Sequence, residues 1–133
     1  MRDMQKSPKI RRSLVVGFAG AVLLAACGGG GTSEPVAIPA DTDLEVHAVS
    51  GLRWDQTSYT APAGEINVAL VNEDTIRHTL VVIEGETIVS GFELEINRKG
   101  DVDSGTITLD PGSYSIFCTV PGHQSMKAEL IVE

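Results

Sequence analysis

The sequence predicts an all-β fold, a Greek-key β-sandwich of about seven to eight strands, over residues 44–133. Apolar residues recur with a period of two in short segments, and turn-forming residues separate those segments. No stretch shows a convincing helical period, and strands at this spacing suit a sandwich. The 90 residues concerned make a small unit, but one long enough for a single core.

Along the chain, Leu44, Val46 and Ala48 alternate with Glu45 and His47 to give the first half-buried strand. A turn at Ala61-Pro62-Ala63-Gly64 leads into Ile66, Val68 and Leu70, which alternate with Asn67 and Ala69. The apolar strand Thr79-Leu80-Val81-Val82-Ile83 ends at the turn Glu84-Gly85-Glu86. Residues 89–91 fit a short helix or a loop equally. Phe92, Leu94 and Ile96 then alternate with Glu93 and Glu95, before the turn Arg98-Lys99-Gly100-Asp101. Ile107 and Leu109 bracket Thr108, and Asp110-Pro111-Gly112 turns into Tyr114, Ile116 and Cys118, which alternate with Ser115 and Phe117. Leu130 and Val132 flank Ile131 in the last strand.

Residues 1–26 read as an export signal. Arg2, Lys6, Lys9, Arg11 and Arg12 make a basic start, and the apolar run that follows, 14–26, is 13 residues long. A membrane-spanning helix needs about 20. Such a charged start, short apolar run and small-residue boundary are the marks of a signal peptide. Arg11-Arg12 is read as part of a plain positive start and not as a twin-arginine signal. The boundary Leu24-Ala25-Ala26-Cys27 resembles the lipobox of bacterial lipoproteins, which implies cleavage before Cys27 and a lipid on its sulfur. Residues 27–43 then form a lipidated Cys and a flexible tether, with four consecutive glycines, two prolines and three acids. Its average reach is roughly 20–25 Å. Together these features place the folded part outside the cytoplasm, in the periplasm or on the outer face of the cell membrane, held there by lipid.

The 133-residue chain has room for one domain, and its formal charge of −8 argues against a nucleic-acid partner. Five of the ten basic residues and one of the 18 acids lie in 1–26, so the remainder carries a formal −12. That charge favours steering towards a partner with a basic docking patch.

With Cys27 assigned to lipid, Cys118 is left as an unpaired thiol in a compartment where thiols usually pair. Taken alone, it reads as a small buried hydrophobe. Its surroundings suggest more. Cys118-Thr119-Val120-Pro121-Gly122-His123-Gln124-Ser125-Met126 places a thiol, an imidazole and a thioether within nine residues, between two predicted strands. A second loop, Asn72-Glu73-Asp74-Thr75-Ile76-Arg77-His78, brings another imidazole to the start of an apolar strand. Two His, one Cys and a weak Met form the trigonal set with a long axial sulfur of a blue-copper site. His47 lies on the polar face of the first strand and is read as a surface residue.

On these residues the chain resembles the cupredoxins, the plastocyanin and azurin family. The likeness runs over the whole 90-residue domain and includes Pro111-Gly112-Ser113-Tyr114. It is strongest at Phe117-Cys118-Thr119-Val120-Pro121-Gly122-His123. The resemblance implies that His78, Cys118 and His123 are the strong copper ligands and Met126 the axial one. It also implies a monomer that is not an enzyme. One copper ion alternating between Cu(I) and Cu(II) would shuttle single electrons between redox protein partners. His123 would be the electron portal, inside a small apolar patch of Val120, Pro121 and Met126.

Two departures from the family pattern stand out. The spacing Cys-x4-His-x2-Met combines an azurin-like first step with the shorter second step of amicyanins. In addition, Thr79 stands where the family often has Asn, which makes its hydroxyl the candidate link between the two ligand loops. Oxidase chemistry is nearly excluded by counting, because only His47 would remain for a trinuclear cluster. The alternative class is a copper carrier or delivery module for a membrane enzyme, and a blander one is an interaction domain without metal.

Overall fold

A computed structural model describes residues 36–133. The signal at 1–26, the lipidation site Cys27 and the tether up to residue 35 lie outside the described residues.

The described residues form ten strands and no helix. They are β1 (Leu44–Val49), β2 (Arg53–Trp54), β3 (Ser58–Ala61), β4 (Gly64–Asn72) and β5 (His78–Glu84). β6 (Thr87–Ile88), β7 (Leu94–Ile96), β8 (Val102–Leu109), β9 (Gly112–Phe117) and β10 (Lys127–Val132) complete the set. One sheet has the order β2-β1-β4-β8, and the other β3-β10-β9-β5-β6 with β7 also paired to β5. β1 runs parallel to β4 and β10 parallel to β3, so both sheets are mixed.

The architecture is the β-sandwich that the alternation predicts, with ten strands in place of seven to eight. The surplus comes from short segments. β2 and β6 have two residues each, too few to show a period, and β3 has four. Residues 89–91 form a loop, with the Val89 N–H donating to the Val82 carbonyl at 2.8 Å. The strand expected from Phe92 begins instead at Leu94, although Phe92 stays buried. The reason lies in β8. Gly105 has no side chain, and a Cβ there would sit 3.1 Å from Leu94 and 3.5 Å from Phe92, so these two residues fill its place.

The core collects the inward residues of both sheets. Val46, Ala48, Ile66 and Leu70 from one sheet meet Leu80, Ile116 and Leu130 from the other, all fully buried. Each such large aliphatic side chain contributes about 1.5–3 kcal/mol by leaving water. Residues 41–43 are tied to β4, with the Asp43 N–H donating to the Asn67 carbonyl at 2.8 Å and the Asn67 N–H to the Asp43 carboxylate at 2.9 Å.

Two features of this frame position the functional side chains. β5 is buried continuously from His78 to Val82, so its first residue is carried inside the sandwich. β9 pairs antiparallel with β5, with Val81 opposite Phe117. The residue after β9, Cys118, therefore emerges beside the start of β5.

Candidate metal centre

The upstream loop is shaped by Asn72, the last residue of β4. Its side-chain Nδ2–H donates to the Ile76 carbonyl and its Oδ1 accepts the Asp74 N–H, both at 2.9 Å. One amide thus staples the loop at two points, as Asn does in turns. Its backbone is held in turn by the 98–101 turn, through the N–H to Asp101 at 2.9 Å and the carbonyl to Gly100 at 2.8 Å. The loop delivers His78 with its ring fully buried.

The downstream loop joins β9 to β10 through two successive turns. Val120-Pro121-Gly122-His123 closes with the His123 N–H donating to the Val120 carbonyl at 3.0 Å. Proline in second place and Gly122 at φ 88° in third are what a type II turn requires. Next, the Met126 N–H donates to the His123 carbonyl at 2.9 Å. The Cys118 N–H then reaches the Met126 carbonyl at 3.1 Å and shuts the loop. The short two-residue step from His123 to Met126 is therefore the length of one tight turn. Ser125 Oγ ties this loop to the Leu52 carbonyl at 3.2 Å.

The two loops bring His78, Cys118 and His123 together, one donor atom from each lying within 4.8 Å of the others. Cys118 Sγ is 3.7 Å from His123 Nδ1, and the two imidazole centroids are 5.0 Å apart at an interplanar angle of 46°. His78 is 0% exposed, Cys118 1% and His123 9%, so the ring that reaches towards solvent is that of His123. Met126 is fully buried where the loop closes, so of the apolar patch expected around His123 only Val120 and Pro121 reach the surface.

Thr79 holds the two loops together. Its backbone N–H donates to Cys118 Sγ at 3.5 Å, and its hydroxyl accepts the Thr119 N–H at 2.9 Å. The sulfur thus has a fixed backbone donor aimed at it. Burial lowers the pKa of His78 against the opposing hydrogen bond to Asp74, and nearby His123 lowers it further. The shift favours the neutral ring, the form that can ligate a metal.

Asp74 is the residue the sequence reading missed. Its Oδ2 lies 3.2 Å from His78 Nε2. The Thr75 N–H and His78 hold its carboxyl below the usual carboxylate range. His47 stands outside the donor group. Its Nδ1 faces Glu73 at 2.7 Å and its Nε2 faces Glu45 at 2.5 Å.

The donor set fits a copper ion. A thiol and two imidazoles form the sulfur-and-nitrogen set that copper prefers. Among the described residues the buried His78 Nδ1 has no hydrogen-bond partner, which leaves its lone pair free to coordinate a bound cation.

No protein-family model matches the chain, and no curated protein matches it in sequence. Solved structures do match it. The auracyanin of Roseiflexus castenholzii, in its dithionite-reduced form, superposes with a TM-score of 0.60 at 22% identity, covering 71% of this chain and 99% of that one. Auracyanin A, a blue copper protein of Chloroflexus aurantiacus, gives 0.59 at 21% identity over 67% of this chain and 96% of its own. A purple cupredoxin of Nitrosopumilus maritimus gives 0.55 at 19% identity over 68% and 100%. The fold is the cupredoxin β-sandwich.

Proposed function

We propose that this chain is a mononuclear copper protein that carries single electrons between redox partners. The observation that carries this reading is the convergence of His78, Cys118 and His123 donors, with a buried imidazole nitrogen left unpartnered. Copper held there would alternate between Cu(I) and Cu(II). The protein's part is to keep the ligands still. Loops stapled at Asn72, Thr79 and Met126 oppose rearrangement when charge changes, because the ligand-bearing segments are cross-linked by hydrogen bonds. His78 and Cys118 exclude water by burial, while His123 provides the route to the surface. Met126 is the proposed axial donor.

The remaining proposals rest on sequence. Cys27 as a lipid anchor and 27–43 as a tether would hold the domain outside the cytoplasm. The acidic excess would steer it to a basic patch on a partner, in a small reversible encounter. Among the described residues no helix is long and apolar enough to cross a membrane.

Adding Cu(II) to the purified protein and recording its visible spectrum tests the reading. An intense thiolate-to-copper band that bleaches reversibly with reductant is expected. A colourless protein that binds only Cu(I), or one that releases copper readily, would overturn it and favour the copper-carrier alternative.

A further inference from the structure

We infer that Asp74 is a positioning residue of the metal centre, its carboxylate holding the Nε2–H of His78 so that Nδ1 faces the metal as a lone pair. The inference rests on the copper reading above and adds a residue to it.

A neutral imidazole carries one proton, and the nitrogen that bears it is set by the partner the ring finds. Among the described residues His78 has a single side-chain hydrogen-bond partner. Nε2 meets Asp74 Oδ2 at 3.2 Å, whereas the buried Nδ1 meets nothing. A carboxylate can only accept, so Nε2 is the protonated nitrogen. Nδ1 is then the nitrogen free to ligate.

Asp74 is fixed before it acts on His78. Its backbone N–H is taken by Asn72 Oδ1 at 2.9 Å, and its Oδ1 accepts the Thr75 N–H at 2.7 Å. Oδ2 faces the imidazole, and the Asp74 side chain is 11% exposed against 0% for His78. Rotating His78 would break this bond within the buried site, where a polar group left unpaired is costly. A carboxylate partner also makes the ring a stronger donor. The more highly charged oxidised ion gains most from that, so the carboxylate lowers the reduction potential.

Asp74→Asn and Asp74→Ala separate charge from position. Nitrogen-resolved NMR of the metal-free protein reads the His78 tautomer directly, with amide dispersion as the check on folding. The Nε2–H form is expected in the wild type and in Asp74→Asn, whose amide oxygen still accepts. A mixture of tautomers is expected in Asp74→Ala. On loading with copper, both variants should show a raised midpoint potential, and Asp74→Ala should lose affinity about 10-fold or more. A single Nε2–H tautomer in Asp74→Ala, or an unchanged potential in both variants, overturns the proposal. If Asp74→Ala does not fold, the potential of Asp74→Asn decides. If the wild type forms no coloured copper complex, the functional reading falls, while the metal-free tautomer measurement still decides the role of Asp74.

Discussion

The backbone N–H of Thr79 points at the sulfur of Cys118, 3.5 Å away, while the hydroxyl of the same residue accepts the N–H of Thr119 at 2.9 Å. The two hydroxyls of Thr79 and Thr119 are themselves 2.8 Å apart. β9 ends at Phe117, so these contacts continue the β5–β9 association by one more step with a side chain in place of a ladder bond. One residue beside His78 therefore fixes both the sulfur and the start of the downstream loop.

Thr79→Val keeps the shape and the backbone donor but removes the hydroxyl. It takes the acceptor from the N–H of the exposed Thr119, which should destabilise the protein by about 0.5–1.5 kcal/mol. Urea denaturation of the metal-free protein measures this. The thiolate band of the copper form should persist, since the N–H to the sulfur remains. A stability equal to the wild type would show that the hydroxyl link carries no weight.

Cys118→Ser replaces the soft sulfur by a hard oxygen of similar size. The intense visible band should vanish. His78→Ala leaves the band's sulfur in place but removes one of the two imidazoles, so metal should be lost faster to a chelator. Retention of colour in Cys118→Ser would remove the thiol from the site.

Gly122 sits at φ 88° with nothing within 4 Å of where a Cβ would stand. Its requirement is therefore conformational and not a matter of space. Gly122→Ala should cost about 1–2 kcal/mol, the penalty of a left-handed backbone for an L-residue. Gly122→Asn should cost less, because Asn tolerates that region better. If both cost the same in thermal unfolding, crowding by the metal loop and not backbone strain is the cause.

How far the sequence discloses this site depends on the kind of signal. His78, Cys118 and His123 are legible because three uncommon donors stand in two short segments next to apolar runs. Asp74 is not legible, because the chain has 18 acidic residues and an acid near a histidine is ordinary. It acquires meaning only when the Asn72 staple folds the loop. Strands such as β1 and β10 announce themselves through alternation, with Leu44, Val46 and Ala48 buried in one and Ala128, Leu130 and Val132 in the other. β2 and β6 are set by pairing with a neighbour and leave no periodic trace. Leu52, at φ 55°, is equally silent, since nothing in a leucine suggests a left-handed backbone.

His47 supplies a pH test away from the metal. Burial opposes its charged form, but the hydrogen bonds to Glu45 and Glu73 and the charge of Asp55 outweigh it, and its pKa is raised above the usual 6.5. A raised folded pKa gives stability that is complete below the unfolded value of 6.5 and is lost as pH rises through the folded one. The wild type should thus lose stability relative to His47→Gln over the range that begins at pH 6.5 and runs upward. Parallel urea midpoints for the two proteins across that range would show that His47 gains no proton affinity on folding.

Met126→Leu tests the fourth ligand. Met126 is fully buried, its N–H bonded to His123 and its carbonyl to Cys118, so its backbone shapes the loop whatever its side chain does. Leucine has nearly the same volume, and the swap should cost under about 1.5 kcal/mol in stability. The backbone bonds survive it. What disappears is the sulfur, a weak donor that helps the oxidised ion more than the reduced one. The reduction potential should therefore rise and the visible spectrum should shift, with unfolding little changed. A variant whose potential and spectrum both match the wild type would make Met126 a core residue that closes a turn, and the metal centre would have three protein ligands.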